Sequence, residues 1–339
     1  MRAIYIVKYG DADKAFEIRE VAKPVQKAGQ VLIKVEGFGL NFADIHARQG
    51  IYRDAPPIPC VIGYDVCGHV EQVGSDVTEL KEGDRVAAFT HFGGYAEYAV
   101  ANAQAAAKIS AKPNVAEATA LLTQYCTAYY CAAVAVHLNE GDKVLIHSAA
   151  GGVGAALMQY AAHKRCEVFA ATGSEWKKEF LMQAGALNTI NTSTQDFVEY
   201  IKHVTKGEGV DVIFDALGGS YVRRGMKALG AGGRMVCYGM ATMNHTRNVF
   251  SKVAKLLQFG FYHPGLLMLH GKGIIGVSML KIALEKPQVL KMCLDNVMQL
   301  YEQGVFRPVA FTVYKAEQVA AAHKFLEERK SIGKVACAW

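Results

Sequence analysis

The sequence predicts an α/β protein in two parts, a β domain and a doubly wound parallel sheet, and three observations carry that expectation. The first is size: 339 residues, half of them apolar and a fifth charged, suffice for two ordinary cores and have a globular composition. The second is a change of pattern near residue 114. Short β-branched runs broken by glycines give way there to helical stretches alternating with buried apolar strands. The third is a glycine turn, Ala149-Ala150-Gly151-Gly152-Val153-Gly154, set between such a strand and a helix.

In chain order, residues 3–7 (Ala3-Ile4-Tyr5-Ile6-Val7) form a strand-like run without the long apolar core and cleavage site of an export signal, so a cytoplasmic protein is expected. Alternating runs at 31–35, 67–74 and 83–89 make 1–111 an all-β region with compact turns. Residues 119–136 are uncharged and about long enough to span a bilayer. They carry Thr119, Thr123, Gln124, Thr127 and several tyrosines, and read as a buried connecting helix. Strands are expected at 143–147, 167–171, 210–214 and 233–238, with a helix at 155–164; strands alternating with helices imply a parallel sheet. The segment 248–269 is apolar with only two lysines. It is read as a core-packing helix plus loop, a lid, dimer contact or membrane-facing patch being the alternatives. The tail offers a helix at 291–303, a strand at 307–313 and a helix at 316–329, and is expected to rejoin the N-terminal β domain.

The formal charge of +6 is spread along the chain with no block of Lys or Arg, which points away from a nucleic-acid surface and suits an anionic, phosphate-bearing ligand. Eight cysteines, Cys60, Cys67, Cys126, Cys131, Cys166, Cys237, Cys293 and Cys337, include no C-x-x-C pair and read as reduced core thiols. Cys60, Cys67 and His69 lie close in sequence, but no fourth ligand stands nearby, so no metal is assigned.

The glycine turn is the candidate cofactor site. At Ala150, Gly151, Gly152, Val153 and Gly154 the backbone can turn sharply and approach a pyrophosphate, whose charge meets N–H groups and the positive end of the following helix. A tight turn without ligand is the plainer alternative. The second strand chooses the nucleotide. An NAD enzyme ends it with Asp or Glu for the ribose 2′-hydroxyl, whereas this chain has Thr172, Ser174 and Lys177, which suit the 2′-phosphate of NADPH. Glu175 beside them weakens that case a little, and Lys177 and Lys178 are also compatible with solvated helix charges. Leu217 with Gly218, and Tyr238 with Gly239, follow later strands at their carboxyl ends, the edge where an open α/β sheet binds ligands.

Together with Gly39-Leu40-Asn41-Phe42-Ala43-Asp44 and Ala47-Arg48-Gln49-Gly50-Ile51-Tyr52, these residues make the whole chain resemble the zinc-independent quinone oxidoreductase branch of the medium-chain dehydrogenase/reductase superfamily. Within it, Asp215-Ala216-Leu217-Gly218-Gly219-Ser220, Tyr238-Gly239-Met240-Ala241 and Arg247-Asn248 look most like the vesicle amine transport (VAT) protein homologues. The resemblance implies a GroES-like catalytic domain over 1–122, a Rossmann NADPH-binding domain over 123–265, and a return to the catalytic domain over 266–339, with the active site in the cleft. It also implies a homodimer formed through edge strands at 233–238 and 273–279.

Zinc alcohol dehydrogenases carry a ligand cysteine in the stretch matching Gly39 to Asn41, a Gly-His-Glu where this chain has Gly63-Tyr64-Asp65, and a four-cysteine lobe where it runs through Gly93-Gly94-Tyr95-Ala96-Glu97-Tyr98. Without those ligands an unactivated alcohol lacks help in forming alkoxide, whereas a quinone or enone accepts hydride at an electron-poor carbon. By resemblance Asn41, Asp44, Tyr52 and Thr127 line the nicotinamide and substrate end, Thr127 touching the cofactor as well. Tyr52 is the expected donor to the acceptor oxygen and Asn41 orients groups around the ring. Taken bare, Asn41 also suits an ordinary turn and Tyr52 a packed aromatic. The expected activity is hydride transfer from NADPH to a quinone without metal. Reduction of an enone or alkenal double bond is the alternative of the same class, and a nucleotide-binding adaptor with peripheral membrane contact is that of another.

Overall fold

A computed structural model describes residues 1–243, 249–308 and 310–339, with backbone alone at 249–252. The motif Arg247-Asn248 lies outside the described residues, as does Val309 in the expected strand 307–313. The chain divides into two units, Met1–Cys126 with Met279–Glu302 and Pro308–Trp339, and Thr127–Ser278 with Gln303–Arg307.

In the first unit the short runs become β1 (Arg2–Ile6), β2 (Phe16–Glu20), β3 (Gln30–Leu40), β4 (Cys60–Val61), β5 (Asp65–Val73), β6 (Arg85–Phe89), β7 (Tyr98–Asn102) and β8 (Ala106–Lys108). β1 pairs antiparallel with β2 and β4, and β3 with both β5 and β7. Ile4, Ile33, Phe38 and Val66 are fully buried in the core between these sheets. The region is not all β, because short helices interrupt it at Ala12–Ala15 and Phe42–Arg48. The second starts where Asn41, in extended conformation, donates its backbone N–H to the Asp44 carboxylate at 2.7 Å, one half of a capping box. The expected connecting helix runs over 115–135, four residues earlier than its apolar pattern suggests. Asn114 caps it by accepting the Glu117 N–H at 3.0 Å, and the Glu117 carboxylate accepts the Asn114 N–H at 2.8 Å. No described helix is long and apolar enough to cross a membrane.

The second unit holds β9 (Lys143–Ile146), β10 (Glu167–Thr172), β11 (Asn188–Asn191), β12 (Val210–Asp215), β13 (Leu229–Cys237) and β14 (Gly273–Gly276). All neighbouring pairs are parallel, in the order β11-β10-β9-β12-β13-β14. The chain winds outward from β9 to β11, then returns to the other side for β12 to β14, the doubly wound Rossmann topology. A parallel sheet is covered on both faces, so β9 reads as an unbroken apolar run; Val144, Leu145 and Ile146 are fully buried. Each such side chain contributes about 1.5–3 kcal/mol over its exposed state.

Four expectations here need correction. The helix after the glycine turn spans Gly152–His163 rather than 155–164, because the glycines themselves make its first turn. Of the two strands named for a dimer contact, only β14 lies at the sheet edge, β13 being enclosed between β12 and β14. β14 also stops at Gly276, and Met279 begins a helix. The apolar segment forms helices Val249–Leu257 and Pro264–His270 whose described side chains do not pack as core: Leu256 is 63% exposed and Met268 82%. Within it Phe259 and Tyr262 do pack against the second unit's core.

The tail adds β15 (Phe311–Lys315) and β16 (Lys334–Ala338) to the first unit, giving the sheet order β15-β16-β3-β5-β6-β8 with β7 also on β3. The strand expected at 307–313 thus begins later, at the point where Phe311 comes into register with Lys334. The helices span Pro287–Glu302 and Val319–Glu327, the latter entered by a 3-10 turn at Ala316–Gln318. All eight cysteines are free thiols. Six are buried as expected, but Cys166 and Cys237 are half-buried. Burial pushes the Cys67 thiol up to about 12, which suits an inert core group.

Candidate functional site

In the second unit the chain leaves β9 through His147, and Ser148 takes a left-handed conformation at φ +54°. Gly151 N–H donates to Ser148 O at 2.8 Å, and Ala149 N–H to Ala171 O at 2.9 Å, tying the turn to β10. At Gly154 a Cβ would stand 2.4 Å from Ser148 O and 2.7 Å from Ala149 Cα, so only glycine lets the helix approach the strand end this closely. A helix gives its first-turn N–H groups no internal partner. Those of Gly152, Val153 and Gly154 can therefore meet an anion, with the positive end of the helix behind them.

The neighbouring strand ends are fixed by a cluster that sequence reasoning missed. Asp215, at the end of β12, is fully buried and accepts N–H bonds from Leu217 at 3.2 Å and Gly218 at 2.8 Å. His147, equally buried, lies with Nδ1 2.7 Å from the same carboxylate and is flanked by the rings of Phe197 and Tyr221. The turn that carries Leu217 and Gly218 is thus held from below, while Gly218 and Gly219 adopt φ of +72° and +59°. A His and an Asp on adjacent parallel strands were the available signal. Tyr238 donates its N–H to Asp215 O at 3.0 Å. Its hydroxyl is buried without a hydrogen-bond partner among the described residues, and burial holds the phenol well above its ordinary pKa. Close-packed glycines, first-turn N–H groups and an orphaned hydroxyl along one sheet edge fit a dinucleotide.

At the end of β10, Thr172 is buried and its Oγ1 accepts the Ser174 N–H at 3.4 Å. Thr192 donates its N–H to Thr172 O at 2.8 Å and Ser193 Oγ donates to Gly173 O at 2.5 Å, so the loop after β11 closes over the same corner. The two lysines differ. Lys177 is buried with Nζ 5.1 Å from the Trp176 ring, whereas Lys178 pairs with Glu175. Lys177 is therefore not a solvated helix charge. Thr127 is buried in the helical run, in the same unit as this corner.

The first unit brings Asn41, Asp44 and Tyr52 together with two residues that the sequence did not single out. Lys334, at the start of β16, sends Nζ to Asp65 Oδ2 at 2.7 Å and to Asn41 Oδ1 at 3.0 Å, and Asn41 Nδ2 donates to the same Asp65 oxygen at 3.1 Å. Lys334 and Asp65 are 1% and 0% exposed. Desolvation pushes the Asp44 carboxyl up to about 8; the Asn41 N–H bond opposes this, and Asp65 adds to it. Tyr52 is half-buried, its ring edge-on to Tyr64 with centroids 6.2 Å apart, and burial raises its phenol too. Among the described residues no group of three or more His, Cys, Asp or Glu is arranged to hold a metal ion.

Comparison with known proteins places these features in a family. Residues 27–111 match the alcohol dehydrogenase GroES-like domain and residues 152–295 the zinc-binding dehydrogenase family. The synaptic vesicle membrane protein VAT-1 homolog of Danio rerio is 33% identical over 336 residues, covering 98% of this chain and 69% of the relative. The chain belongs to the medium-chain dehydrogenase/reductase superfamily. This medium-chain dehydrogenase/reductase is also 30% identical to the quinone oxidoreductase of Homo sapiens over 96% of its length and 93% of that protein's. Its fold overlays the Escherichia coli quinone oxidoreductase complexed with NADPH with a TM-score of 0.87 and 25% identity, covering both chains fully. It is accordingly a nicotinamide-dependent oxidoreductase, with a GroES-like domain and a Rossmann sheet.

Proposed function

We propose that this protein is an NADPH-dependent quinone reductase that works without zinc. The observation that carries this reading is the buried ammonium of Lys334 bonded to both Asp65 and Asn41. Asp65 stands where zinc alcohol dehydrogenases carry the glutamate of their Gly-His-Glu, and here its charge is balanced by a lysine of the same chain. With an internal cation in that place and the ligand cysteine replaced, the substrate must bring its own electron sink, as a quinone does.

When bound, reduced nicotinamide supplies the hydride. The first-turn N–H groups at Gly152 to Gly154 hold the pyrophosphate, and Asp215 fixes the turn at Leu217 and Gly218 beside it. Tyr52 donates a hydrogen bond to the acceptor oxygen; its raised pKa keeps it protonated and able to donate. Asp44, pushed up to about 8, is mostly neutral at pH 7 and so brings little negative charge to a site where an oxyanion develops. Initial rates of NADPH oxidation test the proposal, with an ortho-quinone expected to turn over faster than a simple enone. The reverse order would make the protein a double-bond reductase, and no turnover of either class would remove both readings.

Thr172, Ser174 and Lys177 take the 2′-phosphate. Lys177→Ala is expected to weaken NADPH binding by about 10- to 100-fold, the scale of a hydrogen bond to a charged group, and to leave NADH within about twofold. Fluorescence titration with each nucleotide reads this directly, and equal loss for both would overturn the 2′-phosphate assignment.

A further inference from the structure

The corner at the end of β10 contains a residue of the wrong charge for NADPH. A carboxylate here accepts the ribose 2′-hydroxyl of NADH and repels a 2′-phosphate. Glu175, three residues beyond Thr172, has a side chain 70% exposed, and its carboxylate is held in its ionised form, first by the hydrogen bond from Asn191 and then by Lys178.

Both of its oxygens are engaged. Oε2 accepts from Asn191 Nδ2 at 2.7 Å and Oε1 from Lys178 Nζ at 3.0 Å. Asn191 is well placed to hold it. It ends β11 directly beside Thr172 in the parallel register, and it is only 4% exposed. Its amide cannot turn over without loss, since Oδ1 accepts the Ser193 N–H at 3.1 Å and only the amino group is left to face Glu175. The backbone N–H of Asn191 is itself tied to Gln195 Oε1 at 3.1 Å.

We propose that Glu175 is a cofactor-selectivity residue and that Asn191 and Lys178 form a latch which withholds it from the ribose 2′ position, so that a chain with a carboxylate three residues beyond the strand end prefers NADPH. The inference rests on the NADPH reading above. It explains how the acid and the phosphate-binding group Thr172, Ser174 and Lys177 coexist in one loop: the carboxylate's acceptor capacity is consumed by an amide, and its charge is balanced by an ammonium.

The test is titration of the full chain with NADPH and with NADH, followed by nicotinamide fluorescence, in the wild type and three variants. Asn191→Ala should lower the NADPH preference, expressed as the ratio of the two dissociation constants, by about tenfold, the scale of one charge-assisted hydrogen bond. Lys178→Ala, a substitution at a part-exposed helix position, should shift it the same way and guards against misfolding of the first. Adding Glu175→Gln to Asn191→Ala should restore the wild-type ratio, because the released charge is then absent. A ratio unchanged in both Asn191→Ala and Lys178→Ala, or a double variant that stays shifted, overturns the latch. If the wild type shows no preference for NADPH, the cofactor reading fails on its own. The latch is then judged by whether Asn191→Ala moves the ratio toward NADH.

Discussion

Replacing Lys334 with methionine is expected to destabilise the protein by about 3–5 kcal/mol, the cost of removing one partner from a buried ion pair. The pair is sealed, with Lys334 1% and Asp65 0% exposed, so water cannot solvate the carboxylate that is left behind. Asn41 loses the donor to its Oδ1 at the same time, and Asp44 loses a positive charge that lowers its pKa, which drives it further toward the neutral form. The packing admits no easy substitute cation, because the space was cleared for this lysine: a Cβ at Gly39 would lie 2.3 Å from Lys334 Cε and 2.5 Å from Asp65 Oδ1. Urea denaturation checks the expectation, as a lower midpoint with an unchanged slope. The double variant Lys334→Met with Asp65→Asn should recover most of the loss, since the uncompensated charge is gone. A cost under about 1 kcal/mol for the single change would mean that the site is hydrated, and would remove the internal-cation argument for a zinc-independent reaction.

That pair also shows where sequence reading stops. Strand β9 and the glycine turn were legible because their signal is local. A fully covered parallel strand must be continuously apolar, and a helix packed on its end must carry glycine where Gly154 stands. The antiparallel N-terminal strands were legible for the same reason. Asp65 and Lys334 are 269 residues apart, and nothing near Lys334 marks it as a core residue, so that contact exists only once β16 lies beside β3. The sequence did carry one trace of it, in Gly39 of the Gly39-Leu40-Asn41 stretch, but a glycine states that something comes close and not what. His147 and Asp215 are an intermediate case, 68 residues apart on strands whose adjacency the topology predicts. The apolar segment misled for a different reason. Its helical spacing of apolar residues is the same whether the face meets a core or solvent, and Leu256 and Met268 meet solvent.

Gly154→Ala is expected to weaken NADPH binding by about a hundredfold or more, a far larger effect than its cost to folding. The added methyl would lie 2.4 Å from Ser148 O, 2.7 Å from Ala149 Cα and 2.8 Å from Ala149 O. These are backbone atoms of a turn already fixed by the Gly151 to Ser148 and Ala149 to Ala171 hydrogen bonds, so the strain is relieved by moving the helix off the strand end. Overpacking of this kind costs folding about 1–3 kcal/mol. Binding suffers more, because the same displacement carries away the N–H groups of Gly152, Val153 and Gly154 proposed above to hold the pyrophosphate, and misplacement by about 1 Å is worth about a hundredfold. Gly151→Ala is the matched control. Its Cβ would meet a single atom, Ser148 O at 3.2 Å, and φ there is an ordinary −76°, so binding should fall by less than about tenfold. Titration with NADPH beside a thermal melt separates the two effects. Equal losses in the two variants would show that the turn tolerates a side chain anywhere, and that close approach of this helix to β9 is not what holds the cofactor.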